Sequence, residues 1–269
     1  MKIQGRVFIV TGAGGGIGGA IVSALLTRGA KVAAVDLTEE SLQKLLDRLG
    51  DTAKNVSTHA LNITDREASA QLPNAVIKAH GQLDGVFNVA GIIQPFVKVN
   101  DLDYEAIERV MNVNFFGTLY ITKAVLPTLL ERPEAHIVNV SSMGGFLPVP
   151  GQSIYGASKA AVKLLTEGLY AELLNTNVRV SVVFPGATKT NITANSGVVT
   201  PKGVSDIDAS KFKMLPPGDV ASIILDGVEK NKAQIFTGRD SNLMNKLYRL
   251  NPVYATKLIT KQMKSLLDI

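Results

Sequence analysis

Arg6-Val7-Phe8-Ile9-Val10-Thr11-Gly12-Ala13-Gly14-Gly15-Gly16-Ile17-Gly18-Gly19 is the stretch that decides how the fold is read. Its first six residues are a short, mostly β-branched apolar run. A glycine-rich turn follows and leads into the helical pattern Gly18–Arg28. A strand that turns this way into a helix offers free backbone N–H groups at the positive end of a helix dipole, a setting suited to phosphate. Glycine belongs there because a Cβ would hold the backbone away from such a group. The rival reading, a nucleoside-triphosphate loop, needs Lys and then Ser or Thr after its last glycine. Gly19 and Ala20 stand in those places. On these residues alone, a plain turn with no ligand also stays open.

The same alternation continues along the chain. Strand-like runs occur at Arg6–Thr11, Ala30–Asp36, Val56–Asn62, Gly85–Val89, His136–Ser141, Val178–Phe184 and Gln234–Thr237. They are short and apolar on both faces, as strands of a covered parallel sheet are. Helical patterns lie between them near Gly18–Arg28, Thr38–Leu49, Asp65–His80, Leu102–Leu130, Tyr155–Leu174 and Pro217–Lys230. Unbroken strand–helix alternation predicts an α/β fold: a single-domain, Rossmann-like, doubly wound sheet of about seven parallel strands with helices on both faces. At 269 residues the chain fits one such domain. We expect a catalytic unit over 1–240, including a lid at 188–215 that is polar and too long for an ordinary connection, and a basic amphipathic tail over 241–269.

Composition excludes several classes. There is no Cys, so disulfide frameworks, thiolate metal sites and thiol catalysis are out. His59, His80 and His136 are scattered without partners at ligand spacing, and no metal site is expected. No apolar run approaches the roughly 20 residues of a membrane span, and Val7–Val10 reads as a first strand, not a leader. The expected compartment is the cytoplasm. The net charge of +5 sits mainly beyond residue 240, where Lys246, Arg249, Lys257, Lys261 and Lys264 face Asp268 alone. A near-neutral body with a basic tail is not a nucleic-acid footprint.

Asp36 ends the second strand, 18 residues after Gly18. That is close to the interval at which a carboxylate takes the ribose hydroxyls of NAD. It would repel the extra phosphate of NADP, and neither Leu37 nor Gly15 supplies a cation to hold one. The alternative is that Asp36 caps the helix starting near Thr38. Further on, Tyr155 and Lys159 stand four apart on one helical face. A phenol titrates near ~10, and an adjacent ammonium favours its ionised form, giving a general acid or base. Ser142 ends a strand and can hold the same substrate oxygen. On spacing alone the pair also reads as an ordinary helix-surface contact.

Taken together these motifs resemble the short-chain dehydrogenase/reductase family over nearly the whole chain. The T-G-x-x-x-G-x-G loop is Thr11, Gly12, Gly16 and Gly18, and Tyr155 and Lys159 are the Y-x-x-x-K pair, with Ser142 thirteen residues earlier. Asn114 matches the family's catalytic Asn, Pro185-Gly186 its P-G motif, and Thr190 a nicotinamide-amide contact. Two positions depart from the pattern: Val89 replaces the second Asn of N-N-A-G, and Asn62 stands where Asp usually meets adenine.

The resemblance implies an oxidoreductase passing hydride between NAD(H) and a secondary alcohol or ketone. Tyr155 would be the acid/base, Ser142 would steady the oxygen, Lys159 would lower the phenol pKa and Asn114 would anchor a water. Gly12, Gly14, Gly16, Ile17, Gly18, Asp36, Asn62, Ile63, Asn88, Ala90, Pro185, Gly186, Thr188 and Thr190, with Tyr155 and Lys159, would hold the coenzyme. Alternatives are an NAD(H) sensor without turnover and an NADPH-linked 3-ketoacyl thioester reductase. The four-residue Tyr–Lys interval argues against the enoyl-reducing variant of the fold.

Ile93, Met143 and Gln152 are expected at a mostly apolar substrate pocket. Homodimers or homotetramers are expected through the helices Leu102–Leu130 and Tyr155–Leu174. In the tail, Asn251-Pro252 reads as a helix start, with Ala255, Leu258, Ile259, Met263, Leu266 and Leu267 on one face. That helix would pack on the fold, on a partner subunit or over the substrate entrance. The remaining reading is that it lies on an anionic membrane surface.

Overall fold

In the computed structural model the described residues are 1–198 and 214–263. Seven strands form one parallel sheet: β1 (Val7–Thr11), β2 (Lys31–Asp36), β3 (Val56–Ala60), β4 (Gly85–Asn88), β5 (Ala135–Val140), β6 (Val178–Pro185) and β7 (Gln234–Thr237). Their spatial order is β3-β2-β1-β4-β5-β6-β7. Crossovers run outward in one direction from β1 and in the other from β4. These two strands pair with Thr11 opposite Asn88, so a crevice opens beyond their ends.

The helices are α1 (Gly16–Thr27), α2 (Glu39–Leu49), α3 (Arg66–His80), α4 (Tyr104–Met111), α5 (Thr118–Leu130), α6 (Ser153–Glu172), α7 (Ile192–Asn195), α8 (Pro217–Glu229), α9 (Arg239–Leu250) and α10 (Pro252–Gln262). Strand alternation divides the core in two. Phe8 and Val10 of β1 face α1, α2 and α8, while Val7 and Ile9 face α3, α5 and α6. Phe8 meets Phe87 edge to face at 5.5 Å.

Between α4 and α5 the backbone widens into a π-helical turn, Asn112–Gly117. As one continuous helix, Tyr104–Leu130 is 27 residues, long and apolar enough by composition to cross a bilayer, although polar residues interrupt it too often to form an apolar run. Here Ile121, Val125 and Leu129 bury its inner face against the sheet.

Residues beyond Gly238, expected as a tail, form α9 and α10. Asn251 caps α10 through Tyr254 N at 2.9 Å. Ala255 and Ile259 are buried against Leu147, with Met143, Phe146, Met244, Leu247 and Met263 around them. The apolar face of α10 is thus occupied by the fold. Leu266 and Leu267 lie outside the described residues, as does the 199–213 part of the expected lid.

His136 on β5 is buried, and its Nε2 lies 2.8 Å from Ser181 Oγ. Ser181 spends its proton on Lys232 O at 2.6 Å, so His136 is the donor to it and its ring is neutral. Its Nδ1 has no partner. Burial, then the chain's amino group and Arg179, hold the imidazole pKa down to about 3 from 6.5. The unfolded chain therefore takes up the proton first as pH falls. This stability is complete above 6.5 and drains toward 3, reaching a loss of about 2 kcal/mol near pH 5. His136→Gln is expected to flatten that acid limb, as read by urea unfolding at about pH 7 and about pH 5. Equal losses in both proteins would remove His136 as its source.

Candidate active site

The glycine loop is shaped by its own packing as well as by any ligand. Gly12 has φ +65°, and a Cβ there would sit 2.8 Å from Ala90 Cα. A Cβ on Gly18 would run into Gly12 O. Gly15 is the N-cap of α1 and offers no side-chain cap, so the first N–H groups of the helix stay free for an anion. Thr11 Oγ1 accepts from Val89 N and Ala90 N at 3.1 and 3.2 Å, fastening the ends of β1 and β4 together.

Asp36 Oδ2 accepts from Gly14 N at 2.8 Å and Oδ1 from Leu37 N at 2.8 Å. It does not cap α2, because Thr38 does so through Ser41 N at 3.2 Å. Two cations not anticipated from positions 15 and 37 come from α2: Lys44 and Arg48 both line the cleft. Arg48 donates to Gly14 O at 3.3 Å. Asn62 turns its carbonyl onto Thr64 N and Oγ1 at 3.1 and 2.8 Å, which leaves its amide N–H groups as the free donors.

A cleft of about 770 Å³ runs from Asp36 to Tyr155. Gly12, Gly14, Gly16, Ile17, Gly18, Asp36, Asn62, Ile63, Ala90, Pro185, Gly186, Thr188 and Thr190 line it, together with Ser142, Tyr155 and Lys159. A carboxylate at one end, a free helix N-terminus in the middle and a volume in the range of ligand sites fit a dinucleotide.

At the far end, Asn114 sits in the π-helical turn, where the extra residue per turn aims it at the cleft wall. Its Oδ1 accepts from Ile92 N at 2.8 Å, and its Nδ2 donates to Ile92 O and Ser158 Oγ, both at 2.9 Å. A Cβ on Gly91 would lie 3.0 Å from Lys159 Nζ and 3.2 Å from Asn114 Oδ1. Only glycine leaves that space open.

Lys159 is buried and donates to Val140 O at 3.0 Å, so it is no surface partner of Tyr155. Burial brings its pKa down to about 8. Tyr155 keeps part of its surface in the cleft. Burial pushes its phenol up, and the Ser142 hydroxyl pulls it back. Desolvation, not the ammonium, is therefore the leading effect on the phenol, which corrects the expectation that Lys159 sets it.

Besides Asn114, four expected residues stand off the cleft surface. Asn88 is buried in the sheet and donates to Thr122 and Asn139 at 3.1 and 2.8 Å, because its side chain points across β4 and not beyond it. Ile93 N is taken by Ser196 Oγ at 3.0 Å. Met143 belongs to the cluster under α9 and α10. Gln152 is buried and donates to Gln94 O at 2.9 Å.

The sequence reading also missed what holds the P-G turn. Asp240 on α9 accepts from Ala187 N at 3.0 Å, and Ser241 donates to Phe184 O at 2.9 Å. An acidic residue in the first turn of a helix was the available signal.

A family model described as short chain dehydrogenase matches residues 6–198. The chain is a short-chain dehydrogenase/reductase. SadH of Mycobacterium tuberculosis is 33% identical over 254 residues, 93% of this chain and 92% of that one. A Burkholderia phymatum short-chain dehydrogenase/reductase, solved with NAD, superposes with a TM-score of 0.82 at 26% identity, covering 93% and 96%. A Burkholderia cenocepacia short chain dehydrogenase, solved with NADP, gives 0.80 at 28%, covering 96% and 99%. The seven-stranded Rossmann-like sheet expected from the sequence is the fold these relatives share. As a short-chain dehydrogenase/reductase the chain is an oxidoreductase that uses a nicotinamide dinucleotide.

Proposed function

We propose that this short-chain dehydrogenase/reductase interconverts a secondary alcohol and its ketone, with NAD(H) as coenzyme and an apolar substrate. The observation that carries the reading is one cleft with Asp36 at one end and Ser142, Tyr155 and Lys159 at the other. When bound, the nicotinamide supplies or accepts the hydride. Tyr155 gives its phenolic proton to the ketone oxygen as that oxygen becomes an alkoxide, and takes it back in the oxidative direction. A phenol held protonated by burial suits the first role. Ser142 donates to the same oxygen and steadies the developing charge. Lys159, placed by Val140 O, lies one helical turn after Tyr155 and lines the same cleft. Asn114 keeps Ile92 fixed across the cleft and leaves room at Gly91 for a water on the proton's way out.

Ile92, Val113 and Ile192 contribute apolar surface to the cleft that holds Tyr155, which supports a hydrophobic ketone over a sugar. NADH oxidation against ketones of graded size is expected to quicken with apolar surface, each tenfold step marking about 1.4 kcal/mol of discrimination. Turnover confined to polyhydroxylated substrates would overturn the assignment. Arg48 and Lys44 support a second reading, NADP(H) use, and the same assay with NADPH separates the two.

A further inference from the structure

Gln94 lies in the loop after β4, six residues beyond its end, and is completely buried. A buried amide in a connecting loop must find partners for both of its ends, and this one finds them at the start of α6. Its Oε1 accepts from Ile154 N at 2.7 Å and from Tyr155 N at 3.1 Å. Its Nε2 donates to Gly151 O at 3.0 Å. Gln152 Nε2 donates back to the Gln94 carbonyl at 2.9 Å.

Gln152, the N-cap residue just before α6, gives the helix no side-chain cap. Gln94 therefore caps the helix from a distant loop, taking N–H groups that the helix itself leaves unpaired. The loop is held in turn: Ile92 by Asn114 and Ile93 by Ser196.

We propose that Gln94 is a positioning residue for proton transfer, fixing the first turn of α6 and so the place where the Tyr155 phenol meets substrate. This rests on Tyr155 being the acid/base. Gln94 lies outside the coenzyme cleft, so its effect should fall on turnover and not on coenzyme affinity. The ionisable side chains lining the cleft near the phenol are Lys159 and Tyr155 itself. Asp36, Glu40, Lys44 and Arg48 belong to the β2–α2 end.

The test compares Gln94→Ala, Gln94→Glu and Tyr155→Phe with the parent protein in ketone turnover with NADH, in NADH binding and in ultraviolet titration of tyrosine. Subtracting the Tyr155→Phe curve isolates one phenol among the six tyrosines. Gln94→Ala is expected to lower kcat about tenfold through misplacement, with NADH affinity unchanged. Gln94→Glu keeps the acceptor for Ile154 N and Tyr155 N but loses the donor to Gly151 O, so it recovers only part of that loss. It also moves the Tyr155 titration up by about one pH unit because a carboxylate now lies behind its N–H.

Unchanged kcat in Gln94→Ala, or an unmoved phenol in Gln94→Glu, overturns the inference. If Gln94→Ala does not fold, the Gln94→Glu titration decides alone. Full turnover in Tyr155→Phe defeats the acid/base reading instead, while the titration still reports whether the cap reaches the phenol.

Discussion

Tyr155→Phe is expected to lower kcat for ketone reduction about a thousandfold, in the range a positioned general acid supplies. The substitution removes one oxygen and leaves the ring in place. Lys159 keeps its bond to Val140 O and Ser142 keeps its bond from Gly144 N. The cleft is otherwise intact, so NADH should bind as before, and the loss should appear in kcat with little change in coenzyme affinity. Steady-state rates and a fluorescence titration of NADH separate the two. Wild-type turnover in Tyr155→Phe would falsify the proton-transfer role. Loss of NADH binding along with turnover would mean that the ring, not the hydroxyl, is what the site needs.

Asp36→Ala should have the next largest effect, on the choice of coenzyme. In the proposed complex the carboxylate accepts from two ribose hydroxyls, and a hydrogen bond to a charged group contributes about 1.5–3 kcal/mol. Removing both is expected to weaken NADH by about a hundredfold or more. The same change lifts the repulsion that a 2′-phosphate would meet, and Arg48 and Lys44 remain beside the vacated place. NADPH should therefore improve as NADH worsens, and the ratio of kcat/KM values should move by about a thousandfold in total. Asp36 also holds Gly14 N, so part of the loss could come from a loosened loop. Asp36→Asn keeps an acceptor for Gly14 while dropping the charge. An unchanged coenzyme ratio in both variants would remove Asp36 as the discriminator.

The sheet was readable because its strands are apolar on both faces, a pattern that few structures other than a covered parallel sheet require. Boundaries differed by a residue or two, as at β3, which ends at Ala60 and not Asn62. The site was readable where chemistry fixes residue type at fixed spacing: Asp36, Ser142, Tyr155 and Lys159. It was unreadable where the partner is distant in sequence.

Asn88 lies next to cleft residues in the chain but turns into the sheet. Arg48 reaches the glycine loop from a helix 34 residues away. The π-helical turn at Asn112–Gly117 looks like ordinary helix, because one extra residue per turn barely disturbs an apolar pattern. α9 was not legible because it is half exposed: Ser241 is its one buried residue, and Leu243 and Leu250 face outward. Its attachment to the end of β6 is polar, through Asp240 and Ser241, which hydropathy does not register, and its apolar contacts through Met244 and Leu247 go mainly to α10 and Leu147.

That attachment has a consequence for how the enzyme is made. The strand that ends at Pro185 leaves the ribosome well before Asp240 and Ser241, which fasten its end, and before Ala255 and Ile259, which close over Leu147. Synthesis runs from the N-terminus, and early segments begin to organise before later ones exist. A growing chain can thus lay down the first strands of its sheet early, but the Pro185-Gly186 turn stays unfastened until α9 and α10 arrive. Coenzyme would then meet a finished binding surface only after α9 and α10 have emerged and packed.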